Sequence, residues 1–334
     1  MIKRALVTGG CGFIGSNLTR SLLKKGWRVD VVDDMSNGHL ELLEGCDMRV
    51  VPIELMQQFD AAGTKRKDDT ILVMQGDFSH PIVINKINLK QYDVVFHQAA
   101  IPRVLYSVEN PSETTGVNVL GTVSLFEACI NNVHRIVWAS SSSVYGGADN
   151  LPTPESECKN PKSPYAWQKS TIEDVAKLFS DLYGLDIVCL RYFNVFGPGQ
   201  YGDSPYSTAV SAWCNAIKSC LTLRSDGDGS QSRDLCYIDN AVHANILAAE
   251  ADKTFRGDCY NVACGDRTTN REILDYLTER FSHAVVVDAP WRKGDVMHTR
   301  ADISKIKEEL GYEPLVRFWD GLDRTIKWWG LDDV

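Results

Sequence analysis

Tyr165 and Lys169, four residues apart, are a pair whose types and spacing describe chemistry. They lie in Tyr165-Ala166-Trp167-Gln168-Lys169, inside a stretch whose pattern predicts a helix around Ser163–Tyr183. A step of four places both on one helical face. A phenol is a poor base at its ordinary pKa near 10, and a neighbouring ammonium favours the phenolate. Bringing that pKa to about 7 takes roughly 4 kcal/mol of differential stabilisation. Earlier in the chain, Ala139-Ser140-Ser141-Ser142-Ser143-Val144-Tyr145-Gly146 follows a predicted strand. A serine hydroxyl at a strand end completes a proton path to such a tyrosine. Alone, the Tyr-Lys pair is as often an ordinary amphipathic pair, and the serines as often polar caps of a strand.

A second constellation opens the chain. Strand Arg4–Thr8 runs into Thr8-Gly9-Gly10-Cys11-Gly12-Phe13-Ile14-Gly15, and a helix is predicted over Ser16–Lys25. Gly9, Gly12 and Gly15 have the spacing that gives a tight turn, a close backbone approach to pyrophosphate, and close packing of helix on strand. The helix N-terminus then offers free N–H groups and a positive dipole end to phosphates. Asp33 lies 18 residues beyond Gly15 at the end of the second strand, where a carboxylate accepts hydrogen bonds from the adenosine ribose. An acid there repels a 2′-phosphate, so the expected cofactor is NAD rather than NADP.

These residues need a frame. Short β-branched runs at Arg4–Thr8, Arg28–Val32, Ile71–Gln75, Val94–His97, Arg135–Ser140 and Ile187–Arg191 alternate with helical patterns. That alternation predicts an α/β fold, a doubly wound parallel Rossmann sheet with a smaller α/β substrate-binding lobe. The expected boundaries are 1–195 with 234–262 for the NAD-binding domain, and 196–233 with 263–334 for the lobe. The pattern weakens between Gly45 and Asp69, and the polar stretch Ala61–Thr70 reads as a surface excursion. Near the C-terminus, Arg271–Phe281, Val285–Asp288, Ile303–Leu310 and Trp319–Trp329 read as helices with one or two short strands.

Composition narrows the class. The 334 residues are 44% hydrophobic and 24% charged, as in ordinary globular proteins, and can bury a full core. No apolar run approaches the ~20 residues of a bilayer span. The start at Met1 leads directly into a strand, which leaves no room for a signal peptide. Ten cysteines without a CxxC pair suit reduced cytoplasmic thiols better than a disulfide framework or a metal site. A net charge of −9 argues against nucleic acid or an anionic membrane as partner, so an anionic ligand must be held by local arginines.

Taken in order, the glycine loop, His97-Gln98-Ala99-Ala100, Asn118-x-x-Gly121, the serine run ending Val144-Tyr145-Gly146, Tyr165-x-x-x-Lys169 and Arg191-Tyr192-Phe193-Asn194 resemble the extended short-chain dehydrogenase/reductase family. The similarity runs from about residue 3 to residue 330 and points to the NAD-dependent nucleotide-sugar epimerase branch, closest to UDP-N-acetylglucosamine 4-epimerases. The resemblance implies that Tyr165 is the base, Lys169 holds the nicotinamide ribose, and Ser141 is the hydroxyl partner. It implies a cofactor group of Gly9, Gly12, Phe13, Ile14, Gly15, Asp33, Asp34, Asn37, Gly38, Gln98, Ala99, Ala100, Asn118, Ser140 and Tyr192, with Asp77 and Phe78 bordering adenine. Asn194 touches the sugar or its phosphate, beside Ser142 and Ser143. Gly227-Asp228-Gly229-Ser230-Gln231-Ser232-Arg233 and Pro290-Trp291-Arg292-Lys293-Gly294-Asp295 resemble the two diphosphate-binding segments, with Arg233 and Arg292 as phosphate ligands and Asp295 alongside. Guanidinium forks suit phosphate oxygens. The pyrimidine is expected near Leu223 and Ser225. The resemblance also implies a homodimer through the helices around Thr115–Asn131 and Ser163–Tyr183.

The branches share oxidation at carbon 4 of the sugar, so the segment before Tyr145 has to separate them. Related sugar 4,6-dehydratases carry an Asp-Glu pair there and nucleotide-uronate decarboxylases a Glu, because those reactions move a second proton or steer decarboxylation. Ser142 and Ser143 stand in this chain, which leaves 4-epimerisation. Thr299, five residues after Gly294, is small where restricted hexose enzymes resemble one another in a large aromatic, so an acetamido group at carbon 2 is admitted. A uronate 4-epimerase is the alternative: its carboxylate-binding arginine is missing from Gln200–Thr208, and Arg103 is the candidate replacement. A non-catalytic dinucleotide-binding protein of the same fold is a further alternative.

Overall fold

The computed structural model describes residues 3–63, 66–202, 208–291 and 296–332. Strands β1 (Arg4–Thr8), β2 (Arg28–Asp33), β3 (Met48–Pro52), β4 (Ile71–Gln75), β5 (Val94–His97), β6 (Arg135–Ser141) and β7 (Ile187–Tyr192) join the Asp258–Val262 strand in one sheet. Its order is Asp258–Val262, β7, β6, β5, β1, β2, β4, β3. The pairings linking β3, β4, β2, β1, β5 and β6 are all parallel. The six strands expected from sequence end within one residue of those observed. Edge strand β3 and the Asp258–Val262 strand were not anticipated. Of β3 only Val51 is buried, so period-2 alternation barely registers. In Asp258–Val262, Asp258 and Asn261 interrupt the apolar pattern.

The chain winds from β1 outward to β2 and crosses to the other side at β5, so the order reverses between β1 and β5. In open α/β sheets the crevice beyond such a reversal is where ligands bind. Helices lie on both faces. Leu6, Val32, Met74, Val95 and Trp138 pack with Val83, Leu125, Phe126 and Ile172 from the helices on one face. The alternate residues of β1 and β2 face the other way, towards the Phe13–Lys24 helix with its buried Leu18 and Leu22.

The chain divides into two compact units. One comprises residues up to Ser140, Ser163–Leu190 and Val242–Cys259; the other comprises Ser141–Lys162, Arg191–Ala241 and the residues from Tyr260 onward. The second unit therefore begins at Ser141, inside the Ala139–Gly146 run. Its small parallel pairs are Val286–Ala289 with Leu223–Asp226 and Cys236–Tyr237 with Val195–Phe196. The helix Asn270–Arg280 opens on a reciprocal cap between Thr269 and Glu272.

Ala61–Gly63 and Lys67–Asp69 are exposed, as expected of a surface excursion. The segment is nevertheless anchored: Arg66 and Asp30 form an ion pair with largely buried side chains, and Tyr92 donates to Asp30 Oδ2 at 2.9 Å. Thr70 is buried, its hydroxyl 2.7 Å from Asp47 Oδ2.

At the end of β5, His97 is fully buried between two threonines. Thr122 Oγ1 donates to the carbonyl of Asn118 at 2.9 Å, so it accepts from His97 Nε2, 2.9 Å away. Nδ1 is then the acceptor for Thr8 Oγ1 at 2.7 Å, and that oxygen accepts the Ala99 N–H at 3.1 Å. The network thus assigns the neutral Nε2–H tautomer. Burial, followed by the Lys169 charge, lowers the His97 pKa to about 3. The unfolded value is near 6.5, so from pH 6.5 down towards 3 the unfolded chain takes a proton that the folded chain refuses, and stability falls. At pH 5 this amounts to about 2 kcal/mol. His97→Gln is therefore expected to lower absolute stability yet flatten its loss between pH 7 and 5 by about 2 kcal/mol, measured by urea unfolding. A variant with the wild-type slope would show that His97 is protonated within the fold.

Candidate active site

In the first unit the glycine loop is tight because neighbouring backbone leaves no room for side chains. Gly9 has φ +67°, and a Cβ there would lie 2.8 Å from the backbone nitrogen of Ala99. A Cβ on Gly15 would meet Gly9 O at 2.0 Å. The loop closes through Gly9 N to Val32 O at 2.8 Å and Gly12 N to Gly9 O at 3.1 Å. The following helix, Phe13–Lys24, has Gly12 as N-cap, no side-chain cap and no acidic residue in its first turn. Its first-turn N–H groups and dipole are thus presented to an anion, as a dinucleotide pyrophosphate requires.

Asp33 ties this loop to the end of β2. Its Oδ2 accepts the Cys11 N–H and its Oδ1 the Met35 N–H, both at 2.9 Å, while each oxygen keeps lone-pair capacity for a ribose hydroxyl. Burial raises the Asp33 pKa, opposed by these backbone bonds. A Cβ on Gly38 would collide with Asp33 Oδ1 at 2.4 Å, so Gly38 is the residue that lets this loop close over the carboxylate. Asp34 caps Ser36 locally, and Asn37 accepts a hydrogen bond from Arg103 Nη2. Arg103, expected at the sugar, is therefore placed beside the proposed cofactor group.

Several residues expected to line the cofactor use their side chains internally. Asn118 grips the main chain of Ile101 at 2.8 and 3.1 Å and donates to Gln168 Oε1 at 2.8 Å, fixing the loop after β5. Gln98 donates to Asn245 at 3.1 Å. Phe78 is buried with its ring on His97 at 4.8 Å and against Gly121, whereas Asp77 is exposed and holds Ser79. Ser140 points its hydroxyl at Glu173 Oε1, 2.6 Å away. Phe13, Ile14, Ala99 and Ala100 remain partly accessible around the loop, and Tyr192 is buried.

Tyr165 sits in the first turn of the Pro164–Tyr183 helix. Ser163 caps that turn through Ala166 N at 3.1 Å, Pro164 presets it, and Tyr165 N donates to Ser107 Oγ at 3.0 Å. Lys169 Nζ lies 5.8 Å from the Tyr165 ring centre, donates to Ala139 O at 2.7 Å and stands 4.8 Å over the Trp138 ring. Burial pulls the Lys169 pKa down to about 7, with Cys189 and Glu173 pushing it back up. A phenol beside an ammonium at a helix N-terminus is equipped to take and return a proton.

Ser141 ends β6 and its Oγ accepts the Ser143 N–H at 3.2 Å; Ser142–Tyr145 form one short helical turn. The Ser143 hydroxyl is buried without a hydrogen-bond partner. In the same unit Asn194 donates through Nδ2 to Asp234 O at 2.9 Å and to Thr299 Oγ1 at 3.3 Å, so two residues expected at the sugar are neighbours. Below them Asp234 is fully buried and accepts N–H groups from Cys264, Gly265 and Ala301 at 3.0, 3.1 and 3.0 Å; burial raises its pKa to about 7.

A cavity of about 350 Å³ in the second unit is lined by Asn194, Thr208, Arg224, Asp226, Gln231 and Arg233, among others. Arg233 is set by Nη1 bonds to Ser232 O and Met297 O, both 3.1 Å. Leu223 and Ser225, expected beside the base, are fully buried, and alternation along the strand gives the cavity Arg224 and Asp226 instead. Gln231, assigned no role from sequence, donates to Asp226 O at 2.7 Å while its Oε1 is buried without a partner. An orphan acceptor on a cavity wall asks for a ligand donor. Its place two residues before Arg233 in the Gly227–Arg233 segment was the available sequence signal. Arg292 and Asp295 lie outside the described residues.

The model described as "NAD dependent epimerase/dehydratase family" matches residues 5–263. The chain belongs to that family. Its cofactor is NAD, which the glycine loop and the uncapped helix fit. Among curated relatives, the chain is 32% identical over 329 residues, 97% of each sequence, to a putative UDP-glucose 4-epimerase of Methanocaldococcus jannaschii. Among solved structures it is similar to a UDP-N-acetylglucosamine 4-epimerase from Methanobrevibacter ruminantium M1 in complex with UDP-N-acetylmuramic acid, with TM-score 0.86, 34% identity and 98% of both chains covered. It is also similar to a UDP-glucose 4-epimerase with UDP-glucose from Thermotoga maritima, with TM-score 0.85, 30% identity and 98% of both chains. Family membership and the loop geometry together generate one expectation. Gly9→Ala must strain a positive φ and push against Ala99, so it is expected to weaken NAD binding at least about 10-fold, measured by calorimetric titration. Unchanged affinity would show that the loop relaxes without cost.

Proposed function

We propose that this family member is a 4-epimerase of UDP-hexoses, with UDP-N-acetylglucosamine and UDP-N-acetylgalactosamine as its main pair and UDP-glucose and UDP-galactose as further substrates. The observation that carries the reading is the Tyr165–Lys169 pair, held on a capped helix, combined with serines rather than carboxylates at Ser140–Ser143. Tyr165 takes the proton of the sugar 4-hydroxyl and later returns it, relayed by Ser141. Lys169 stabilises the phenolate and binds the nicotinamide ribose. NAD, which the Gly9–Gly15 loop and Asp33 would hold, would supply the hydride acceptor and donor for carbon 4. Asn194 and Thr299 orient the hexose, and Arg233 with Arg292 neutralises the diphosphate. Dehydration and decarboxylation are disfavoured because Ser142 and Ser143 stand where related dehydratases and decarboxylases carry a carboxyl side chain to move a second proton.

A uronate 4-epimerase is the second reading, favoured by similarity to UDP-glucuronate 4-epimerases at 28–30% identity; the Arg103 guanidinium, its candidate carboxylate ligand, donates to Asn37 in the loop after β2. The acetamido preference is supported by the small Thr299 beside Asn194 and by similarity to a structure carrying an N-acetylated muramic sugar nucleotide. We place the enzyme in the cytoplasm, since ten cysteines with none in a disulfide suit a reducing compartment. A homodimer is supported by exposed Leu120, Trp167, Leu178 and Leu182 on the Gly116–Gly121 and Pro164–Tyr183 helices, a surface that a second copy would cover.

Proton NMR of the NAD-loaded enzyme in heavy water tests the reaction. UDP-N-acetylglucosamine is expected to yield its 4-epimer with no deuterium on carbon. Deuterium at carbon 5 with loss of the 6-hydroxyl would establish a dehydratase instead. Thr299→Tyr tests the sugar assignment. An added ring in the volume of the acetamido group costs about 1–3 kcal/mol, so kcat/KM for UDP-N-acetylglucosamine is expected to fall about 10- to 100-fold further than that for UDP-glucose. An unchanged ratio of the two constants removes Thr299 as the selecting residue.

A further inference from the structure

The Pro164–Tyr183 helix carries a third ionisable side chain one turn beyond Lys169. Glu173 is 4% exposed, and its Oε1 accepts the Ser140 hydroxyl at 2.6 Å. Ser140 adjoins Ala139, whose carbonyl accepts Lys169 Nζ at 2.7 Å. Two consecutive residues of β6 therefore hold two oppositely charged side chains that sit four apart on the same helix. The charges are buried together: Lys169 and Glu173 are both 4% exposed. Glu173 is also one of the groups that raise the Lys169 pKa against the effect of burial.

We propose that Glu173 is a positioning residue for Lys169, held by Ser140 so that its carboxylate keeps the ammonium charged and aimed along the helix face of Tyr165. This rests on the Tyr165–Lys169 reading above. A buried ammonium without a nearby anion sheds its proton instead of bearing the desolvation cost. A neutral Lys169 would neither hold a phenolate nor bind ribose hydroxyls as a cation. The other groups around Lys169 do not replace the carboxylate. On β5, His97 is neutral in the network of two threonines. On β7, Cys189 is fully buried; only as a thiolate would it favour the charged lysine, and as a thiol it carries no formal charge. On β6, the Trp138 ring and the Ala139 carbonyl supply a π face and a dipole without formal charge. On the shared helix, Tyr165 gains from a charged lysine but is the group to be ionised.

Glu173→Gln keeps the shape and the acceptor for Ser140 while deleting the charge. Loss of a nearby negative charge favours the deprotonated forms of both Lys169 and Tyr165. Both limbs of the bell-shaped kcat–pH profile are therefore expected to move to lower pH, by about one unit. Glu173→Asp, which retains the charge, should restore the position of the profile, and Ser140→Ala should shift it in the same direction by less. An independent readout needs no turnover: with 13Cε-labelled lysine, the Lys169 resonance, assigned by its loss in Lys169→Arg, should titrate about one unit lower in Glu173→Gln with or without NAD. A profile lowered in height but unmoved, with an unmoved Lys169 titration, overturns the proposal and leaves Glu173 a packing residue. Should Glu173→Gln fail to fold, the same two readings on Glu173→Asp and Ser140→Ala decide it, unmoved Ser140→Ala titration counting against. Tyr165→Phe separates the two layers: near-normal turnover there overturns the Tyr165–Lys169 reading itself, whereas a drop of at least about 100-fold leaves that reading standing whatever Glu173 does.

Discussion

Burying an ammonium is the constraint around which the seam between β6 and the Pro164–Tyr183 helix is arranged. The effective penalty for taking one such ion out of water is several kcal/mol, and an unmatched lysine in a sheet–helix seam would simply lose its proton. The fold answers with a strand-end carbonyl, the face of an indole, and a carboxylate one helical turn away. Each of these demands a neighbour. The carbonyl and the serine that anchors the carboxylate must be consecutive on β6, and the helix must run past that strand in register. The Ser163 cap and Pro164 set where the helix starts, and hence where Tyr165 and Lys169 fall. The placement of Tyr165 and Lys169 is then a consequence of strand–helix registration as much as of the motif.

The fold was legible in the sequence because its inner strands are short, β-branched and separated by amphipathic helices. Parallel strands buried on both faces announce themselves as apolar runs. The edge strand Met48–Pro52 does not, because one of its faces is wet and its ladder is used on one side only. The glycine loop was legible for a different reason: the steric demand at Gly9 and Gly15 excludes every other residue, so the requirement is written directly in residue type. Asp33 was equally readable, though it does more than wait for a ribose, since its carboxylate also holds the loop together.

What the sequence hid was the direction of polar side chains. Ser140 and Asn118 belong to motif segments, yet their side chains point inward and set the positions of the elements that surround the loop. The residue numbers along a motif do not say which of two alternating faces a side chain takes. Leu223 and Ser225 illustrate this at the cavity of the second unit, where the intervening Arg224 and Asp226 are the ones presented. Glu173 and Gln231 were passed over because an isolated acid or amide carries no signal until its buried partners are known. Arg66 is the converse, a residue in a polar run whose charge is satisfied by Asp30 in the interior.

The buried carboxylate of Asp234 bears on how the protein is made. It binds the main-chain N–H groups of Cys264, Gly265 and Ala301, the last of them 67 residues further along the chain. A ribosome delivers residues at about 5–20 per second, so Asp234 waits several seconds for its final ligand to emerge from the exit tunnel. Until then the carboxylate has no reason to leave water, and the loops it gathers have nothing to gather around. The second unit, stitched from three separated stretches of chain, is thus condemned to finish late, after most of the first has been synthesised. A nascent chain arrested before Ala301 would carry every residue of the first unit, with Asp234 still lacking one of its three main-chain partners.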